Sequence, residues 1–122
     1  MRAAIGAALE FVNTIGLDQI EQRQRYLSNY LKRQLAELPG MTMLSVTTAE
    51  YSAPGSTIFE VAGVNAAALV PVMDAQRFHI EKHQRDGHDA IRVSTHLYNT
   101  TVEIGALVEA LAEIAKKGLA AV

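Results

Sequence analysis

The sequence predicts an α+β domain, a small antiparallel or mixed four-stranded sheet with helices packed on one face, preceded by an N-terminal helix, in the order ααββαββα. Three observations carry this expectation. Apolar residues recur at helical spacing over the first forty residues and again over residues 100–118. In the middle they alternate with polar residues, the period of a half-buried strand. Turn chemistry separates the alternating runs, with Pro54-Gly55 in one break and Asp86-Gly87 in another. A chain of 122 residues has room for one domain with a core that needs no disulfide.

Ile5, Ala8, Leu9, Val12 and Ile15 form the apolar stripe of the first helix, and Gly16 is placed to end it. Asp18 lies three residues before Glu21, the spacing of a capping box that would open the second helix. Ile20, Leu27, Leu31, Leu35 and Leu38 are the stripe of that helix. Glu21, Gln22, Arg23, Arg25, Lys32, Arg33 and Glu37 form its expected solvated face, and Pro39-Gly40 closes it. Tyr26 and Tyr30, one turn apart, are expected at the edge of the buried stripe.

Met41 to Thr48 reads as the first strand and Thr57 to Val61 as the second. Asn65 is a cap for a short helix carrying Leu69, Val72 and Met73. Pro71 inside that helix removes one backbone hydrogen bond, at a cost of up to ~3 kcal/mol unless the helix bends or starts late. Arg77 to Lys82 is the expected third strand, followed by a polar loop over residues 84–89 in which Asp86-Gly87 suits a tight hairpin turn. Ala90 to Thr95 is the fourth, with Ile91, Val93 and Thr95 on one face and Arg92, Ser94 and His96 on the other. Thr100 and Glu103 make a second capping box. Ile104, Leu107, Val108, Leu111 and Ile114 form the last amphipathic stripe, which ends at Lys116-Lys117-Gly118.

Composition excludes several kinds of function. The absence of Cys removes disulfides, thiolate nucleophiles and Cys-based metal sites. Eleven basic against thirteen acidic residues, with no block of like charge, argue against nucleic acid as a partner. No apolar run reaches the ~18 residues of a membrane span, and Met1-Arg2-Ala3-Ala4 reads as the start of a helix rather than a signal peptide. A cytoplasmic protein, with neither membrane nor nucleic acid as partner, is expected.

Arg92 is the first candidate for chemistry. A guanidinium fixed on a strand, on the polar face between apolar residues, can grip a carboxylate through two parallel hydrogen bonds. A surface salt bridge is the plainer alternative. His79, His83, His88 and His96 crowd the second half. On a strand, His79 and His83 would lie roughly 13 Å apart, too far for one metal ion. A pairing of either with His96 across a hairpin remains open, but no metal site is expected. Glu50, Glu60 and Glu81 are isolated carboxylates whose spacing does not force them together. Ser94 and His96 have no third group beside them and no nucleophile elbow, and no glycine-rich phosphate loop is present, so no catalytic residue is assigned.

The run Ala90-Ile91-Arg92-Val93-Ser94-Thr95-His96-Leu97-Tyr98-Asn99-Thr100, followed by Glu103-Ile104 and Leu107-Val108-Glu109-Ala110-Leu111, resembles the C-terminal signature of the class V aminotransferases. These fold-type I pyridoxal-phosphate enzymes include cysteine desulfurases and isopenicillin N epimerase-like proteins. Upstream, Ala8-Leu9-Glu10-Phe11, Ile15-Gly16, Ile20-Glu21 and Leu31 through Leu38-Pro39-Gly40 are similar to the family's approach to its small domain, so the resemblance covers essentially the whole chain.

The resemblance implies that Arg92 binds the carboxylate of an amino-acid substrate, and that Thr100, Glu103 and the helix after them are scaffold. It implies pyridoxal phosphate as the parent enzyme's cofactor. The cofactor lysine, the Asp partner of the pyridine nitrogen and the ring-stacking residue belong to the large domain and have no counterpart here. Lys32, on a helix surface, Lys82, Lys116 and Lys117 stand in no motif that would bury a Schiff-base amine. Residues 1–16 are then a helix leading in from a missing large domain, and residues 17–122 are the small domain. Met1 can be an internal methionine of a longer protein. The isolated chain is expected to hold no cofactor and to be inactive. Its partners are expected to be the large domain, the amino-acid substrate and further copies of itself. The alternative is a stand-alone α+β module that binds small carboxylates or a protein.

Overall fold

The computed structural model describes residues 2–48 and 50–119, the side chain of Arg2 excepted. Eight elements follow in the predicted order: α1 (Arg2–Ile15), α2 (Leu17–Ala36), β1 (Met41–Met43), β2 (Ser56–Val61), α3 (Ala66–Ala75), β3 (Glu81–Arg85), β4 (His88–Ser94) and α4 (Thr101–Lys117). The strands form one sheet in the order β1-β2-β4-β3, and every neighbouring pair is antiparallel.

A single residue separates the first two helices. Gly16, at φ 94 and ψ 132, donates to the Val12 carbonyl and accepts from the Ile20 amide, so it ends α1 and begins α2 together. The capping box expected at Asp18 and Glu21 therefore does not form. The helix opens before it, and Asp18 lies in the first turn, where the N-terminal dipole favours an acid. Leu27, Leu31 and Leu35 are fully buried. Gly40, at φ 81, turns the chain into β1.

β1 is shorter than the alternation suggested. The amides of Leu44 and Ser45 both donate to the Ile58 carbonyl, and Ser45 Oγ accepts from the Ile58 amide at 2.7 Å. Two residues thus oppose one, as in a bulge, and pairing stops there. The third strand is displaced as well. It begins at Glu81 instead of Arg77 because α3 ends in a Schellman turn: Phe78 N–H donates to the Met73 carbonyl and Arg77 N–H to the Asp74 carbonyl. Arg77 takes the left-handed conformation, φ 67, that such a turn needs. Phe78 and Ile80 anchor the connection to the core instead of alternating on a strand. The residues expected as a polar loop are the two arms of the β3–β4 hairpin. Asp86 and Gly87, at φ 53 and 81, form its two-residue turn.

The caps of the other two helices match the sequence. Asn65 Oδ1 accepts from the Ala68 amide at 3.0 Å, and α3 runs on through an exposed Pro71. Thr100 and Glu103 form the reciprocal capping box of α4, with both bonds at 3.1 Å. Ile104, Leu107, Val108, Leu111 and Ile114 are buried. They join Leu27, Leu31, Leu35, Leu69 and Met73 from the helices, and Phe59, Val61, Ile91 and Val93 from the sheet, in one core. α1 packs along α2, and its Ile5, Leu9 and Phe11 are more than half exposed. Among the described residues no helix is long and apolar enough to cross a membrane.

Candidate functional site

Strand alternation gives the sheet two unlike faces. Thr57, Phe59 and Val61 of β2, with Ile91 and Val93 of β4, turn inward and are buried. The alternate positions turn outward: Ile58 and Glu60, then His88, Ala90, Arg92 and Ser94, with Glu81 and His83 on the edge strand. The inward positions carry the hydrophobic core, so they fix where the outward ones point.

Arg92 sits in the middle of this outer face, on an interior strand, with Ile58 opposite it on β2 and Glu81 opposite it on β3. Its side chain is half-exposed, and Nη2 donates to the Glu81 carboxylate. Nε is shielded from solvent and has no hydrogen-bond acceptor among the described residues. The arrangement is therefore a strand-fixed guanidinium with one edge engaged by a carboxylate. The group it meets is the Glu81 carboxylate, and a planar fork of N–H donors suits a carboxylate.

The histidines are dispersed. His79 pairs with Asp74 at 2.5 Å, His88 with Glu60 at 2.8 Å, and His96 stacks on Tyr98 with ring centroids 5.0 Å apart. His83 lies on β3 facing Ala90. The pairing of His79 or His83 with His96 is not made, and among the described residues no group of three or more His, Asp or Glu is placed to hold a metal ion. Ser94 and His96 are both exposed at the end of β4.

Two features escaped the sequence reading. From sequence Glu81 reads as one of several isolated carboxylates, and a third strand that begins at Arg77, four residues before β3, gives it no partner on β4. The turn residue Arg77 and the Asp86-Gly87 hairpin together fix the register that sets Glu81 against Arg92.

The second is Lys32, expected on the solvated face of α2 but only 2% exposed. Its Nζ donates to Ser52 Oγ at 2.5 Å and to the Ala53 carbonyl at 3.0 Å. Ser28 Oγ reaches the same carbonyl, and Arg25 Nη1 donates to the Ser52 carbonyl. Three polar side chains of α2 thus hold the turn between β1 and β2. The Lys32 pKa is lowered by burial first, and by the charge of Arg25 second. The recurrence of Arg25, Ser28 and Lys32 at helical spacing beside the leucine stripe was the available signal.

The class V aminotransferase family profile matches residues 2–107. A probable cysteine desulfurase of Halalkalibacterium halodurans is 31% identical over 120 residues, which cover 88% of this chain and 28% of that protein. An isopenicillin N epimerase of Amycolatopsis lactamdurans is 31% identical over 116 residues, 93% of this chain and 29% of that one. Among solved structures, a cystine C–S lyase in complex with its reaction product cysteine persulfide superposes with TM-score 0.70 at 27% identity, covering 79% of this chain and 24% of that one. The apo cysteine desulfurase of Thermococcus onnurineus shares the fold, with TM-score 0.81 at 20% identity, covering 90% of this chain and 29% of that one. The chain thus spans little more than a quarter of the length of these relatives. Its sequence and its fold place it together in one group: the chain belongs to the class V aminotransferases, a pyridoxal-phosphate-dependent family.

Proposed function

We propose that this chain is the small domain of a cytoplasmic class V aminotransferase-like enzyme of the cysteine desulfurase and isopenicillin N epimerase group, in which it closes the active site and Arg92 receives the carboxylate of an α-amino-acid substrate. The observation that carries this reading is the placement of Arg92: an interior strand fixes its base, its side chain stands half-exposed on the sheet face without helices, and it already holds a carboxylate. A sheet face alone is not a pocket, since ligand sites are concave, so the remaining walls would come from the part of the enzyme outside this chain.

Residues 1–16 would lead in from that part, the large domain. The exposed Ile5, Leu9 and Phe11 of α1 support this, as an apolar helix face of that kind is usually covered by a partner. We further infer that the chain alone holds no pyridoxal phosphate. Lys82, Lys116 and Lys117 are exposed, Lys117 is paired with Glu113, and the buried amine of Lys32 is taken up by Ser52 and Ala53. These residues do not compose a cradle for the cofactor, so no chemical step is assigned to this chain. Its contribution is binding and orientation, and self-association is expected of the assembled enzyme.

The test is Arg92→Ala in the protein at the length the cell makes it. Charged hydrogen bonds of this kind contribute on the order of 1.5–3 kcal/mol, so amino-acid affinity should fall roughly 10- to 150-fold. Unchanged affinity would remove Arg92 from the site.

A further inference from the structure

The guanidinium of Arg92 is not free. Glu81, its direct partner in the β3–β4 register, shares the outer face and accepts a hydrogen bond from Nη2. The pair is open to solvent, with the Arg92 side chain 41% and the Glu81 side chain 63% exposed. Glu81 opens the edge strand of the sheet, so its side chain has a neighbouring strand on one side only and can turn into solvent. Exposed ion pairs of this type are weak and exchange readily.

We propose that Glu81 is a specificity-determining residue for carboxylates at Arg92: in the free protein its own carboxylate holds Nη2, and an incoming carboxylate that takes Nη2 as one of its two donors competes with it. This rests on the carboxylate role proposed above for Arg92. At Nη2 the exchange swaps one acceptor for another, so there a ligand gains only the difference between its grip and that of Glu81. The displaced Glu81 stays tethered one strand away as a negative charge. It opposes a ligand that carries a second carboxylate and favours one that carries a cationic amine, which is the charge pattern of a monocarboxylic α-amino acid.

The test compares the wild type with Glu81→Gln at the length the cell makes the protein, with Glu81→Ala as a variant that removes the side-chain acceptor altogether. Acetate and succinate are titrated separately while the Arg92 side-chain Nε–H resonance is followed in nitrogen-15-labelled protein and assigned through Arg92→Lys. Both Glu81 variants should bind acetate about three- to fivefold more tightly than the wild type, the range an exposed ion pair allows. The wild type's preference for acetate over succinate should shrink in both. An unchanged acetate affinity or an unchanged preference, with Arg92 responding in all three proteins, overturns the proposal and leaves the carboxylate role of Arg92 standing. No saturable response of Arg92 in any of them overturns that role, and the proposal with it.

Discussion

On its inner face the sheet presents Phe59, Val61, Ile91 and Val93, each 5% exposed or less, to the helices. On its outer face the same strands present Glu60, His88 and Arg92, all partly exposed, with His88 hydrogen-bonded to Glu60 and Arg92 ion-paired with Glu81. One residue along the strand separates the two sets. The inner face is specified redundantly, because several elements bury against it and any of them reinforces the register. The Arg92–Glu81 pair on the outer face is exposed, and pairs of this kind contribute little stability. A fold of this kind keeps a guanidinium in position without drawing on the guanidinium itself for stability.

Substitutions should separate the faces by size of effect. Phe59→Ala, at a fully buried position, should destabilise by about 3–5 kcal/mol in denaturant unfolding. A loss below ~1 kcal/mol would mean that the inner face is not the core. Lys32→Met removes the buried donor from Ser52 and Ala53 and should cost about 1–3 kcal/mol at neutral pH.

That cost should also depend on pH. The folded-state pKa of Lys32 lies below the unfolded one, so between the two values the unfolded chain binds more protons and stability rises with pH. The wild type should therefore gain on Lys32→Met as pH is raised toward ~10.4. A gap that narrows with rising pH would contradict the burial of the amine.

Thr100→Ala breaks the capping box and should cost about 1 kcal/mol. Arg92→Ala should have the smallest effect on stability, within ~1 kcal/mol, because its pair is exposed. Its effect should fall on carboxylate binding instead. A large loss of stability there would erase the distinction between the faces.

How legible each part was in the sequence follows the same division. The inner face and the α4 stripe could be read directly, since burial imposes a period and the Thr100–Glu103 spacing marks a helix start without tertiary help. Arg92 and its outward direction came from the alternation of β4. Glu81 as its partner did not, because register depends on where β3 begins, and that is set by the left-handed Arg77, a conformation ordinarily signalled by Gly. Lys32 misled for a related reason. A lysine beside a leucine stripe reads as solvated, and only the fold of the 52–53 turn over α2 buries it. The short β1 likewise depends on a tertiary bond, from Ile58 N–H to Ser45 Oγ.

On the proposed function, this chain is one domain of a larger enzyme. The most direct test is the mass of the native protein in its source cells, detected with an antibody against this chain. The relatives are between three and four times as long, since the chain covers 28% to 29% of them. A single band at three to four times this chain's mass is expected, with nothing at the mass of the chain itself. A band only at the chain's own mass would contradict it and leave Arg92 and Glu81 as the site of a stand-alone carboxylate-binding module.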